Sequence, residues 1–273
     1  VNVKQWSNVL RTYYEIARIS FWSRAAYPAN LLARSLTIGL RVWIFYAVYS
    51  ITFASAGSDT IGDLTLAQTL WILGLSQSFQ ASTRPPAISS VVQEEIQSGQ
   101  FAYTVSRPYS FILYHLFSQL GRCLPTLFFN LVSVSALLFI FVGPVSVTFT
   151  AIVCGLILLF LGLVLDFFMT FIVGLCALWI EETFGLFVIF QRLQMVLGGQ
   201  VLPLSMFPGM LKTFAEALPF AHLYYSACLV LVAFDPSTLP KLFATQLCWL
   251  IIMVALATWV FQRGMRAVSV NGG

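Results

Sequence analysis

Six stretches of this chain read as apolar runs of membrane-crossing length, and they constrain its fold more than any motif does. A helix that crosses a bilayer needs ~20 apolar residues, because each residue rises ~1.5 Å through a hydrocarbon core ~30 Å thick. The runs cover 31–55, 64–83, 112–142, 148–180, 185–203 and 242–262. A transmembrane β-barrel would show ~10-residue segments of alternating polarity instead. Of the 273 residues, 59% are hydrophobic and 9% charged, against roughly 25% charged in a soluble domain. A soluble enzyme, a secreted disulfide scaffold and a disordered chain are excluded on that ground. The expectation is an all-α membrane protein, one domain over 1–273 with six transmembrane helices. The third and fourth runs are long and must tilt or protrude. Pro125 kinks the third, and Gly143-Pro144 turns the chain between the two.

Orientation follows from Lys and Arg, which collect on the cytoplasmic side. With the N-terminus inside, the inner segments hold Lys4, Arg11, Arg18, Arg24, Arg84, Arg107, Arg192, Arg263 and Arg266, and the outer ones only Lys212 and Lys241. An even number of spans puts both termini in the cytoplasm, in agreement with the basic tail.

Residues 1–28 do not read as a signal peptide; they predict an amphipathic helix in the inner headgroup layer. Trp6, Leu10, Tyr13, Ala17 and Phe21 share its apolar face, and Arg11, Glu15 and Arg18 another. The inner loop 84–110 begins with Pro85-Pro86, which stop the preceding helix. Ser90-Val91-Val92-Gln93 fits a capping box and Gly99 a C-terminal stop, so a short helix is expected over about 90–98. The outer segment 203–241 is apolar but broken by Pro203, Pro208, Pro219, Pro236 and Pro240. It predicts re-entrant or interfacial helices.

Catalytic signatures are missing. The chain has no G-x-x-x-x-G-K-[ST], no H-E-x-x-H and no G-x-S-x-G. Leu197-Gly198-Gly199-Gln200 lies in an apolar run and reads as close helix packing. His115 is isolated and reads as a packing residue. Five scattered cysteines without a C-x-x-C pair give neither a disulfide framework nor a metal site. Asp166 falls inside the fourth run, where a carboxylate costs ~2.5–3.5 kcal/mol on insertion scales and demands a partner or water. Arg41 and Arg122 are the candidate partners, either as a helix-to-helix ion pair or as a polar point on a substrate route. Arg34, Arg41 and Arg122 can also snorkel to the inner headgroups.

Taken in order, these features resemble the permease subunit of type-2 ABC exporters. The residues that carry the likeness are Glu95-Ile96-Gln97-Ser98-Gly99 through Ser106-Arg107-Pro108, then Leu197-Gly198-Gly199 through Pro203-Leu204, Phe207-Pro208 and Leu218-Pro219-Phe220. Where relatives often carry a proline after the pair Tyr224-Tyr225, this chain has Ser226 and Ala227. The resemblance implies a membrane pair of permeases, homodimer or heterodimer, above a dimer of separate ABC ATPase subunits, in a bacterial inner membrane. ATP and Mg would bind the partner ATPase and no cofactor this chain; no nucleic acid is involved. The short helix of 84–110 would be the coupling helix, with Val91, Val92, Ile96 and Phe101 as apolar contacts and Glu94 and Glu95 as charge. Pro203, Phe207, Pro208 and Pro219 would shape the outer re-entrant region. With 25 Phe, 10 Tyr and 7 Trp, an aromatic cavity for a small amphiphilic or cationic compound is one expectation. Lipid, glycan or peptide cargo, or an ATP-independent secondary transporter, are the alternatives.

Overall fold

A computed structural model describes residues 3–84 and 87–271, with side chains for 9–84 and 87–266. Pro85, Pro86 and the side chains of Lys4 and Trp6 lie outside the described residues. The chain opens with α1 (Val3–Ala25) and turns at Tyr27 into α2 (Pro28–Ala56). Pro28 suits a first helical turn, where its missing N–H has no partner to lose. Gly57, at φ +60°, ends α2 in the left-handed conformation. A small antiparallel hairpin follows, β1 (Thr60–Ile61) with β2 (Leu64–Thr65), Thr60 facing Thr65.

Next comes α3 (Leu66–Thr83), opened by a reciprocal capping box between Thr65 and Gln68. Two short helices, α4 (Ile88–Gln97) and α5 (Gln100–Val105), lead to the long α6 (Phe111–Phe141) and α7 (Phe149–Leu175). A 3-10 turn, Cys176–Leu178, joins α7 to α8 (Phe184–Leu197). The remaining helices are α9 (Gly209–Ala217), α10 (Tyr225–Val232) and α11 (Leu239–Asn271).

Every one of the six apolar runs holds a helix, namely α2, α3, α6, α7, α8 and α11. Among the described residues, four helical stretches are long and apolar enough to cross a membrane: α2, α6, α7 with its 3-10 extension, and α11. The other two differ for separate reasons. α3 alternates apolar residues with Ser, Thr and Gln, and most of it is buried among its neighbours. α8 has 14 residues, or ~21 Å of helix against a ~30 Å core. The sequence suggested a run to 203, but Gly199 takes φ +64° and the helix stops at Leu197.

The core forms around α3, which packs against α2, α6 and α10, while α7 carries α4, α10 and α11. Close approaches fix these contacts. A side chain at Gly74 would meet Leu138 Cδ1 at 2.9 Å, and one at Gly162 would overlap the Leu223 carbonyl.

At one end of the bundle lie the hairpin, with Gly62 against Ser205, and the turn at Gly143, whose carbonyl accepts from Trp71 Nε1 at 3.0 Å. At the other end lie α4, α5 and the last turns of α11, joined by ring contacts among Phe101, Phe111 and Phe261. The N-terminal helix approaches this second end, where the Ser110 N–H donates to the Tyr13 hydroxyl at 3.0 Å.

The first helix corrects the expectation of a ribbon lying on lipid alone. It runs lengthwise along the first half of α6, with Ser20 on Ser118 at 3.1 Å and Arg24 Nε donating to Thr126 Oγ1 at 3.2 Å. Gly121 permits this, because a Cβ there would collide with the Ala17 carbonyl. Tyr13 is buried in that seam, whereas Leu10, expected on the same face, is 64% exposed. Tyr14, Ile19 and Trp22 also stay exposed, which leaves an apolar flank for lipid.

Candidate functional site

The loop between α3 and α6 folds into a helix, as its residues suggested, but the start and the orientation differ. The capping box at Ser90 does not form: α4 begins at Ile88 after Ala87, with no side-chain cap. Gln93, the residue meant to close that box, is recruited elsewhere. Its Nε2 donates to Glu182 Oε1 at 3.0 Å, and its Oε1 accepts from the Thr183 hydroxyl. One turn on, Gln97 Nε2 donates to the Glu181 carbonyl. The stop is as read, with Gly99 at φ +75°.

Three faces of α4 therefore have three surroundings. Ile88, Ser89 and Val92 are buried against α7. Gly174 makes room for them, since a Cβ there would stand 2.8 Å from Ser89 Cα and 3.0 Å from Val92 Cβ. The glutamine face is hydrogen-bonded to 181–183. The third face, with Ser90 and Glu94 exposed, borders an open cleft of about 500 Å³ shared with Glu182, Thr183, Phe184 and Phe187. Glu182 is fully exposed there, and hydrogen bonds from Gln93 and then the Phe184 N–H hold its carboxyl below the usual range.

This geometry corrects the expected contact set. Val92 has no exposed surface, and Phe101 is 4% exposed in a ring cluster with Phe111 and Phe261. Both belong to the chain's own core and offer nothing outward in this conformation. Val91 and Ile96 are half-buried against the same core. Glu95 also turns inward, with Oε2 3.4 Å from Nε2 of the buried His115. Glu94 alone of the predicted six stays exposed. His115 is a packing residue, 4.4 Å from the Phe111 ring centroid.

Asp166 is buried in the second half of α7, but neither proposed arginine reaches it. Among the described residues, no arginine comes within 4.0 Å of the Asp166 carboxylate. Asp166 Oδ1 accepts from Gln194 Nε2 at 2.8 Å, and the buried Tyr224 and Thr83 hydroxyls stand near the carboxylate. Those two hydroxyls are 3.0 Å apart. Arg41 donates instead to Gln77 Oε1 at 3.0 Å, and Gln77 Nε2 donates to the Gln200 carbonyl at 3.0 Å. Arg122 donates to Gln119 Oε1 at 3.3 Å, and Gln119 Nε2 to the Thr83 carbonyl at 2.9 Å. Neutral amides and hydroxyls thus stand where an ion pair was expected. Gln77, Gln119, Gln194 and Tyr224 were missed, although polar residues inside apolar runs were a visible signal.

The segment 203–241 is broken into short helices at the hairpin end, in keeping with its prolines. Pro203, Phe207 and Pro219 are buried and Pro208 is exposed. Gly199 packs so closely that a Cβ would stand 2.8 Å from the Tyr225 ring, as the packing reading of that glycine pair requires. Gln246 of α11 ties the segment down, donating to the His222 and Leu158 carbonyls at 2.8 Å.

Residues 38–272 match the model of a family described as ABC-2 family transporter protein. No curated protein gives a significant match.

Proposed function

Because the chain belongs to the ABC-2 family of membrane transport proteins, a transport component rather than a catalyst, we propose that it is the permease subunit of an ATP-driven exporter. In this reading it works beside a second permease, identical or not, above two separate ATPase subunits that hold ATP and Mg. It resides in a bacterial inner membrane with both termini and α4 in the cytoplasm. The two shorter helices complete six passes, α3 shielded by its neighbours and α8 extended by 198–203.

The observation that carries the proposal is the twofold attachment of α4, which leaves its third face open. A solvated linker would leave a short helix free on all sides. Here α4 is locked to α7 through Val92 and Gly174 and to the start of α8 through Gln93 and Gln97, yet keeps Ser90 and Glu94 open beside the cleft. A push on that open face must move the ends of α7 and α8 together. ATP binding, which closes the partner subunits, then acts as the differential ligand that shifts the helices between inward- and outward-facing packing.

The cargo proposed is a small amphiphilic organic compound. An apolar groove of about 700 Å³ between α2 and α6, lined by Leu36, Trp43, Leu137 and Ile140, suits an apolar body. A cationic head has less to recommend it, because the buried Asp166 already accepts from the neutral Gln194 amide. The test is co-expression with a candidate ABC ATPase subunit. The wild-type chain should retain the subunit and raise its ATP hydrolysis, and Glu94→Arg should lose both while the chain still inserts. Unchanged hydrolysis and export in Glu94→Arg would remove α4 from the mechanism.

A further inference from the structure

The corner where α1 turns into α2 collects arginines without carboxylates. Along α6, Arg122, Thr126 and Asn130 are spaced four residues apart and form one row on its surface. Arg24, in the last turn of α1, donates through Nε to Thr126 Oγ1 at 3.2 Å. On α2, Ser35 donates to Asn130 Oδ1 at 3.1 Å, which brings its neighbour Arg34 to the same corner. Arg34 Nε is held by Asn30 Oδ1 at 3.2 Å. Arg24 lies within electrostatic range of both Arg34 and Arg122.

Two guanidinium nitrogens in this corner, one on Arg24 and Nε of Arg122, are buried with no hydrogen-bond partner. Unmade bonds to buried charged donors are costly, and three like charges in one corner repel. The acidic group in electrostatic range of Arg122 is Glu95, which faces His115. No carboxylate comes within 4.0 Å of the three arginines among the described residues. The corner therefore calls for an anion with several acceptor oxygens.

Depth says which anion. Counting ~20 residues, or ~30 Å, from the hairpin ends of α2 and α6 sets the other edge of the hydrocarbon at about residue 36 of α2 and about residue 121 of α6. Arg34 and Arg122 thus stand at the level of lipid phosphates, beside the lipid-exposed flank of α1 formed by Ile19 and Trp22.

We propose that Arg24, Arg34 and Arg122 form a binding site for the phosphate of an anionic inner-leaflet phospholipid, which pins α1 to α6. The site concerns attachment of the first helix and is independent of the cargo. Native mass spectrometry of the purified full chain, titrated with phosphatidylglycerol, phosphatidylcholine or inorganic phosphate, tests it. Phosphatidylglycerol should be retained in preference to phosphatidylcholine, whose ammonium meets the arginines, and millimolar phosphate should not displace it. Taking roughly fivefold per lost arginine near a membrane surface, Arg34→Gln should weaken retention about fivefold and Arg24→Gln with Arg122→Gln about twenty-five-fold. The exposed Arg18→Gln should leave it unchanged. Arg34→Gln, at a partly exposed side chain, keeps the test open if the double variant fails to fold. Equal retention of both lipids, indifference to Arg34→Gln, or displacement by free phosphate would overturn the proposal.

Discussion

Replacing Asp166 separates two ways of stabilising a buried carboxylate. If charge holds it, through Arg84 in electrostatic range, then removing the charge at constant shape is damaging. If neutral donors hold it, the acceptor oxygens matter and the charge is a burden. The structure supports the second account, since the neutral Gln194 amide donates to the carboxylate and no arginine comes within 4.0 Å of it among the described residues. Asp166→Asn keeps an acceptor for Gln194 and sheds a charge whose placement costs ~2.5–3.5 kcal/mol on insertion scales. Asp166→Ala sheds the same charge but orphans the Gln194 amide, at ~1–3 kcal/mol, while the Tyr224 hydroxyl keeps Thr83 as its partner. The alanine variant thus falls roughly 1–3 kcal/mol below the asparagine variant, and asparagine is at least as stable as wild type. Thermal unfolding of the three purified proteins in one detergent reads the order. A shift of ~1 kcal/mol corresponds to about 2–4 °C at this size. An asparagine variant clearly less stable than wild type would refute the reasoning and restore the ion pair.

Val92→Ala should cost ~2 kcal/mol by emptying part of the seam on α7, and Gly174→Val should lower the unfolding midpoint too, by forcing α4 off the same seam; both should depress export more than ATPase recruitment, measured by co-purification. Glu94→Arg, on an exposed face, should stay within about 0.5 kcal/mol of wild type in unfolding. Gly162→Ala should be the most damaging glycine substitution near the 203–241 segment, because the new methyl meets the Leu223 carbonyl, which is backbone and cannot rotate away; loss of folded protein on size exclusion checks it.

The positions of the six helices were legible because an apolar run of ~20 residues has few alternatives to a helix in lipid. The stop of α4 was legible from Gly99, whose positive φ is a local property. The start of α4 was not, because Gln93 had two possible partners and the better one lies 89 residues away in Glu182. For the same reason Val92 and Phe101 read as outward residues: which side of a short amphipathic helix meets its own chain depends on Gly174, not on the helix. The partner of Asp166 was misread because charge was sought where amides served. Gln194, 28 residues on, satisfies the carboxylate without a countercharge.

In the proposed mechanism a separate nucleotide-hydrolysing subunit presses on the open face of α4. The most direct measurement places a photo-crosslinking amino acid at position 94 of the full chain and irradiates intact cells. The covalent adduct should contain an ABC ATPase subunit, and its yield should change when ATP is depleted. An adduct formed only with lipid or with a protein of the outer face would contradict the account at its base.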